Sequence, residues 1–301
     1  MAHTVVKDGT VYEIVGGKAL HNGAIRPVEI GAAMAGGSVY DISFSSLPPV
    51  GTTLNDMSWA DIRAISDAGL ASNYFAVGDR KAVVLSGTVG RLSLSGTYFC
   101  YIIGIDHNVG VEGANRIHFQ FGYTALSGGV HFAFVDDYYS KTSGSECFHM
   151  NKTNVSTGGW EGSYMRDVVC PAFKEAMPSE LRAVLKAVTK YSNNTGGSSN
   201  TASYVTATSD EVFLLAEWEV FGKNTYANSA EKNYQKQYSW YSAGNSKVKY
   251  KHDNTGTAAI WFLRSVRSGL TSCFCAVTAS GDTSNDSAAY KSFGFAPAFC
   301  V

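Results

Sequence analysis

Apolar positions along this chain recur mostly with a period of two, the spacing of a strand with one covered face. Ile117, Phe119 and Phe121 alternate with His118, Gln120 and Gly122, which predicts a half-buried strand over residues 116–123. Comparable runs predict strands at 82–85, 98–105, 131–135, 211–221, 260–265, 272–278 and 293–301. Helical spacing appears twice. Trp59, Ile62 and Ile65 form a stripe behind Ser58, an N-cap with Asp61 three residues on, and Gly69 closes the segment. Leu181, Val184, Leu185 and Val188 fall at i, i+3, i+4 and i+7 and predict a second helix over 178–191, with Pro178 in its first turn. Residues 229–243 are polar, Tyr-rich and partly helical in pattern. Two main helices among many antiparallel strands define an α+β class.

The first forty residues read separately. Strand-like runs at 4–14 and 18–30 are broken by Asp8-Gly9, Gly16-Gly17 and Asn22-Gly23, and the Asn-Gly pair favours a tight hairpin. The Ala/Gly-rich run 31–37 reads as a hinge. So small a β unit cannot bury a core of its own, so residues 1–40 are expected to attach to a larger assembly or to other copies of the chain. Residues 41–301 form the main domain. Within it, the polar, low-complexity stretch 193–203 reads as a mobile loop.

Composition narrows the function classes. Of 301 residues 45% are hydrophobic, enough for a core without disulfide staples. The net charge is −1 with Lys and Arg scattered, which argues against a nucleic-acid footprint. No apolar run approaches the roughly 18 residues of a membrane span, and the N-terminus lacks the apolar core of a signal peptide, so synthesis in the cytoplasm is expected. Six cysteines lack CxxC spacing and read as buried free thiols of a reduced compartment. Cys273 and Cys275 share one strand face, which leaves metal or redox work open beside simple packing. His107 near Glu112, and Asp136-Asp137 after a strand, offer acid/base groups with nothing to fix their geometry. The glycines at 110 and 113 do not sit between a strand and a helix, so no phosphate loop is indicated. No catalytic group, metal or cofactor is expected.

The tail is the informative region. Trp261-Phe262-Leu263-Arg264-Ser265 and Phe293-Gly294-Phe295-Ala296-Pro297 enclose a stretch of small polar residues split by Cys273-Phe274-Cys275. Ser, Gly, Asn, Asp, Thr and Tyr make ordinary solvated loops, and they also make adaptable binding surfaces.

Trp59-Ala60-Asp61-Ile62, Val77-Gly78-Asp79-Arg80-Lys81, Ile103-Gly104-Ile105-Asp106-His107-Asn108, Glu112-Gly113, Gly158-Gly159-Trp160 with Ser163 and Met165-Arg166, and Leu181-Arg182-Ala183-Val184-Leu185-Lys186 form a pattern. Together with Trp261, Arg264, Ser265, Phe274, Cys275, Val277, Gly294, Ala296, Pro297, Phe299, Cys300 and Val301, it resembles the variable proteins of diversity-generating retroelements in gut bacteria and their phages. The resemblance covers the chain from about residue 40 onward. It departs at Val266, where the family pattern has Pro. It implies a C-type-lectin-like fold related to the sulfatase-modifying-factor group. It also implies display on a phage tail or bacterial surface, and binding to a host-surface protein or glycan. In such systems a reverse transcriptase randomises adenines of a template that replaces the 3′ end of the gene. The residues allow a separate check. Randomising the first two bases of AAC never yields Glu, Gln, Met, Trp or Lys, and 267–290 contains none of the five.

The variable region then lies within about 261–301. Its ligand-binding set is Arg267, Ser268, Gly269, Leu270, Thr271, Ser272, Ala276, Thr278, Ser280, Asp282, Ser284, Asn285, Asp286, Ser287, Ala289 and Tyr290, expected to form one contiguous exposed surface. Trp261 and Arg264 are expected to be buried anchors. A bulge or turn after Cys275 is needed to bring Ala276, Thr278 and Ser280 outward. Two other readings stay open: an undiversified structural tail or surface protein, and an enzyme of the formylglycine-generating type using Cys273 or Cys275.

Overall fold

A computed structural model describes residues 47–142 and 146–301, together with the backbone of five N-terminal strands. Those strands are β1 (His3–Lys7), β2 (Thr10–Val15), β3 (Lys18–His21), β4 (Ala24–Ile30) and β5 (Ile42–Phe44). They pair in sequence order as an antiparallel meander, with His21 opposite Ala24. The hinge expected at 31–37 lies outside the described residues.

The main domain is a mixed α+β structure made mostly of strands. In chain order it contains α1 (Trp59–Asp67), α2 (Ala71–Tyr74), β6 (Arg80–Val89), β7 (Leu92–Ile105), α3 (Val109–Glu112), β8 (Ile117–Tyr123) and β9 (Phe132–Ala133). Then come α4 (Cys170–Ala176), α5 (Ser179–Arg182), β10 (Val188–Asn193), β11 (Val205–Asp210), β12 (Val212–Phe213), α6 (Glu217–Phe221) and α7 (Ser239–Ser242). The chain closes with β13 (Lys249–Lys251), β14 (Asn254–Ala259), β15 (Trp261–Val266), β16 (Cys273–Val277), β17 (Thr283–Ala288) and β18 (Ala298–Cys300).

The central sheet runs β12-β18-β8-β7-β6, antiparallel throughout. Its middle strand β8 is buried at all seven positions, not on one face only. Phe119 and Phe121 meet aromatic rings on one face. Trp59 of α1 sits edge-on to Phe119 at 5.6 Å, Phe299 stacks on Phe119 at 5.1 Å, and Phe173 of α4 meets Phe121 at 5.2 Å. Polar residues cover the other face. Tyr101 and Tyr241 each donate to Gln120 Oε1 at 2.7 Å, and Tyr238 OH lies 3.2 Å from His118 Nδ1. Alternation therefore survives in β8, but the polar row is sealed in, with Gln120 hydrogen-bonded and His118 bonded through Nδ1 while its Nε2 has no partner among the described residues.

Helix α1 forms as its capping box predicts. Ser58 Oγ accepts from Asp61 N at 3.1 Å and Asp61 reaches back to the Ser58 N–H, an arrangement that contributes about 1 kcal/mol. The second predicted helix is corrected. Only Ser179–Arg182 is helical, and the chain then extends into β10, which pairs with β11 from Val188 opposite Asp210 to Asn193 opposite Val205. A longer helical run precedes it, where none was expected. Met165–Val169 forms a π turn leading directly into α4. Pro171 lacks an N–H, and the wider turn, with Cys170 N donating to Met165 O, absorbs that missing bond. The strand expected at 211–221 is also corrected, since only β12 is extended before α6 begins. Residues 193–197 are pinned rather than loose. Buried Asn193 accepts from the N–H groups of Thr195 and Gly196, and its Nδ2 donates to Gly197 O. Among the described residues no helix is long and apolar enough to cross a membrane.

Candidate ligand-binding surface

The tail builds a second sheet, β15-β16-β17. Every residue of β15 and β16 is buried, including Trp261 and Arg264, both at 0% exposure. Trp261 Nε1 donates to Lys247 O at 3.0 Å. Arg264 forms a fork with Glu219, at 2.5 Å from Nη1 and 2.7 Å from Nη2. Ser265 Oγ donates to Glu231, whose carboxyl burial pushes up to about 7. These residues are anchors.

Between β15 and β16 the loop 267–272 is held by main-chain bonds at five points. Arg267 N donates to Cys273 O at 3.1 Å, Ser268 N to Tyr226 O at 2.7 Å and Gly269 N to Ser198 O at 2.6 Å. Thr271 O accepts from Ser156 N at 2.7 Å, and Ser272 O from Ala289 N at 2.9 Å. Gly269, Leu270 and Thr271 are exposed, while Arg267, Ser268, Ser272 and Tyr290 are half-buried. Loop shape therefore depends little on which side chains the loop carries. Gly269 is the exception. Its φ of 91° strains any residue with a Cβ, so it serves as a turn rather than a variable contact.

Neighbouring loops share this surface, and the sequence did not flag them. Glu217, fully buried, accepts from the N–H groups of Thr225, Tyr226 and Ala227. Asn228 Nδ2 donates to the carbonyls of Ser199 and Thr201, and Asn151 Nδ2 to that of Val155. Buried amides and carboxylates thus fix three flanking loops, which bring Val155, Ser198 and Tyr226 beside the 267–272 segment. The signal was a set of Asn and Glu residues between apolar runs, whose burial only the tertiary structure decides.

Several predicted contacts are corrected. Ala276 is buried because it lies in the central strand between Phe262 and Ser284. Ser287 is buried opposite Phe274, and Ala289 is buried beneath the loop, where its N–H and C=O bond to Ser272 O and Asn151 N. The β16–β17 register does shift between Phe274 and Ala276, as the expected bulge requires, yet Ala276 stays inside. The side chains of Asn285 and Asp286 lie outside the described residues. Contiguity is corrected too. Thr278, Ser280 and Asp282 turn at the far end of β16 from the 267–272 loop, about 13 Å away by strand rise. Ser284 follows on β17, whose far end returns the chain to Tyr290 beside Ser272. The 278–282 turn is closed on itself, by Thr278 N to Asp282 O at 2.8 Å and by side chains as well: Asp282 N donates to Thr278 Oγ1 and Ser280 Oγ to Asp282 Oδ2, both at 3.0 Å.

Beneath the sheets lies a buried polar cluster. Donor atoms of His107, Glu112 and Glu219 converge within 4.8 Å, the spacing of a metal site. The Lys190 amino group already stands between the two carboxylates, 2.8 Å from Glu112 and 3.3 Å from Glu219, and 2.8 Å from Tyr238 OH. Two acidic chains face Lys190 and Arg264. Burial, reinforced by Lys190, lowers His107 to about 3 and holds His118 well below its ordinary value, which keeps both rings neutral. Burial raises Glu112 to about 7. Against the same upward push, Arg264 and Lys190 hold Glu219 well below the carboxylate range. The cluster is charge-paired and closed, and the geometry fits cross-linking of α3, β10, α6 and β15. All six cysteines are buried, and Cys100, Cys170, Cys273, Cys275 and Cys300 form no disulfide. Burial, with Glu217 and Glu231 nearby, pushes the Cys275 thiol well above its ordinary value, which favours the protonated form over a nucleophilic thiolate.

Fold and site together define a strand-rich α+β domain that presents main-chain-fixed polar loops on a sealed scaffold. The chain belongs to the family described as a domain of unknown function, DUF6273, whose model matches residues 136–301, more than half its length. No curated protein and no solved structure matches the chain.

Proposed function

We propose that this protein is a ligand-binding display domain of the diversity-generating retroelement type, with a C-type-lectin-like fold. In this reading it sits on a phage tail or bacterial surface and binds a host-surface protein or glycan. The observation that carries the reading is the 267–272 loop. Its path is fixed by main-chain bonds to β16, to buried Ser156 and Ala289 and to the flanking loops at Ser198 and Tyr226, so Leu270, Thr271 and their neighbours can change identity without changing the loop. Exposed substitutions of that kind cost under about 0.5 kcal/mol. Arg267 and Tyr290 flank the exposed residues and supply the planar groups that dominate binding surfaces. The 278–282 turn is a secondary patch. The N-terminal meander serves attachment.

The test is a panel of full-length variants at Leu270, Thr271, Ser272 and Tyr290, probed against whole gut-bacterial cells and arrays of their surface glycans. Binding that changes partner or strength across the panel, at constant melting temperature, supports the reading. A wild-type chain that binds some cells, with every variant binding them equally, overturns it. A reverse-transcriptase gene and a template repeat beside the coding sequence would separate a diversified protein from an undiversified tail protein.

A further inference from the structure

Strand β6 forms one edge of the central sheet, and its main chain has a fixed phase. Ile102 N donates to Asp79 O at 2.9 Å, placing the pair 79/102 among the hydrogen-bonded pairs of the β6–β7 ladder. The register continues without a bulge through Lys81 opposite Cys100, Val83 opposite Tyr98 and Leu85 opposite Gly96. In an antiparallel ladder alternate residues point both main-chain groups at the partner strand. Ala82, Val84, Ser86 and Thr88 therefore point theirs outward. Ala82 confirms the phase, since its N–H leaves the sheet to meet Asn55 Oδ1 at 2.9 Å. Beyond that cap, no partner is present among the described residues for the outward groups of Val84, Ser86 and Thr88.

The side chains match. All three are exposed, and Val84, at 60%, is the most exposed large apolar side chain among the described residues. From Ala82 to Gly90 the strand carries no charge and no proline. The β7 residues opposite the three are Thr97, Ser95 and Ser93, also neutral. Edge strands are ordinarily blunted by Lys, Pro or a bulge; β6 carries Arg80 and the buried Lys81 at its start, and from Ala82 onward it has none of these.

We infer that β6 is a pairing edge for a second copy of this chain, strand to strand and antiparallel across a two-fold axis at Ser86. That operator sets Val84 opposite Thr88 of the second copy and Ser86 opposite Ser86, and it joins donors to acceptors at these three residues, leaving Ala82 on its Asn55 cap. Self-pairing brings identical residues together, which a charged strand would resist and this neutral one does not. The joined sheets form one continuous antiparallel sheet. Strand β6 belongs to a different sheet from β15 and β16, which flank the 267–272 loop, and from the N-terminal meander.

The experiment uses the full chain. Light scattering on a sizing column, over a range of concentrations, is expected to give twice the chain mass for the wild type and the single-chain mass for Val84→Lys. The exposure of Val84 should leave the melting temperature unchanged. Ser86→Cys provides a second readout. Opposed hydrogen-bonded residues lie about 5.5 Å apart at Cα, within disulfide reach. Mild oxidation should therefore cross-link Ser86→Cys into a dimer but not Ser93→Cys on β7, and the native cysteines are all buried. A wild type that is monomeric throughout overturns the inference. So does Val84→Lys with unchanged oligomeric mass, which would assign association to the N-terminal meander, or a Ser86→Cys chain that fails to cross-link.

Discussion

Replacing Lys249 by Met should stabilise the protein, although it removes a hydrogen bond and two ring contacts. The amino group is 1% exposed and no carboxylate lies within ion-pairing distance among the described residues. Among the described residues its one hydrogen-bond partner is Tyr101 OH at 3.3 Å, and the rings of Trp261 and Tyr101 stand 5.3 and 5.5 Å away. Gly122 leaves room for it, since a Cβ there would lie 3.2 Å from Nζ. Burial lowers the amine from 10.5 to about 7, a difference of about 5 kcal/mol against the charged form. Ring contacts recover about 1 to 2 kcal/mol, and the lost hydrogen bond costs the variant about 1. Lys249→Met should therefore gain about 2 to 3 kcal/mol at pH 6, a rise of several degrees in melting temperature. The folded amine has the lower pKa, so the penalty is complete below pH 7 and fades as pH rises toward 10.5. The advantage of the variant should shrink by pH 9. Thermal melts of both proteins at pH 6, 7, 8 and 9 measure it. A variant that melts below wild type at pH 6, or keeps a constant advantage to pH 9, refutes the account.

Glu219→Gln should cost about 3 to 5 kcal/mol, because it leaves Arg264 and Lys190 buried without their shared carboxylate; denaturant unfolding checks this. Trp261→Ala should cost about 3 to 5 kcal/mol, and retention of the wild-type melting temperature would mean that this anchor is not part of the core. Ala276→Leu should destabilise by about 1 to 3 kcal/mol through overpacking, while Thr271→Leu, two residues before β16 but outside the core, should change stability by less than about 0.5. Paired melts of the two leucine variants distinguish buried from displayed positions.

Local signals in the sequence were reliable where local forces decide. The Ser58–Asp61 box set the start of α1, and the aromatic run around Trp261 marked an anchored strand. Residues 178–191 misled because their helical spacing competes with pairing to β11. The pairing wins, since it buries Lys190 against Glu112 and Glu219, a contact 78 residues away in sequence. The run Met165, Val169, Phe173 and Ala176 has the i, i+4, i+8, i+11 spacing of a buried helix face, but Pro171 within it concealed the helix. Of the candidate surface, composition marked the exposed residues of 267–272. It could not separate Ala276 and Ala289 from them, since alanine serves equally at a surface and between two strands. Nor could it show that the two ends of β16 carry separate patches.

The way the 267–272 loop is tied down sets a rule for what a copying process may write there. Arg267, Ser268 and Gly269 each donate an N–H to the scaffold, whereas Thr271 and Ser272 are held by their carbonyls. Proline has a carbonyl but no N–H. A pool of gene copies rewritten at these codons should therefore lose its proline-bearing members at 267, 268 and 269 when sorted for folded protein, yet keep those at 271 and 272 whose backbone angles allow it. The scaffold would act as a filter that reads the main chain and ignores the rest, and sequencing such a pool before and after sorting would show its outline.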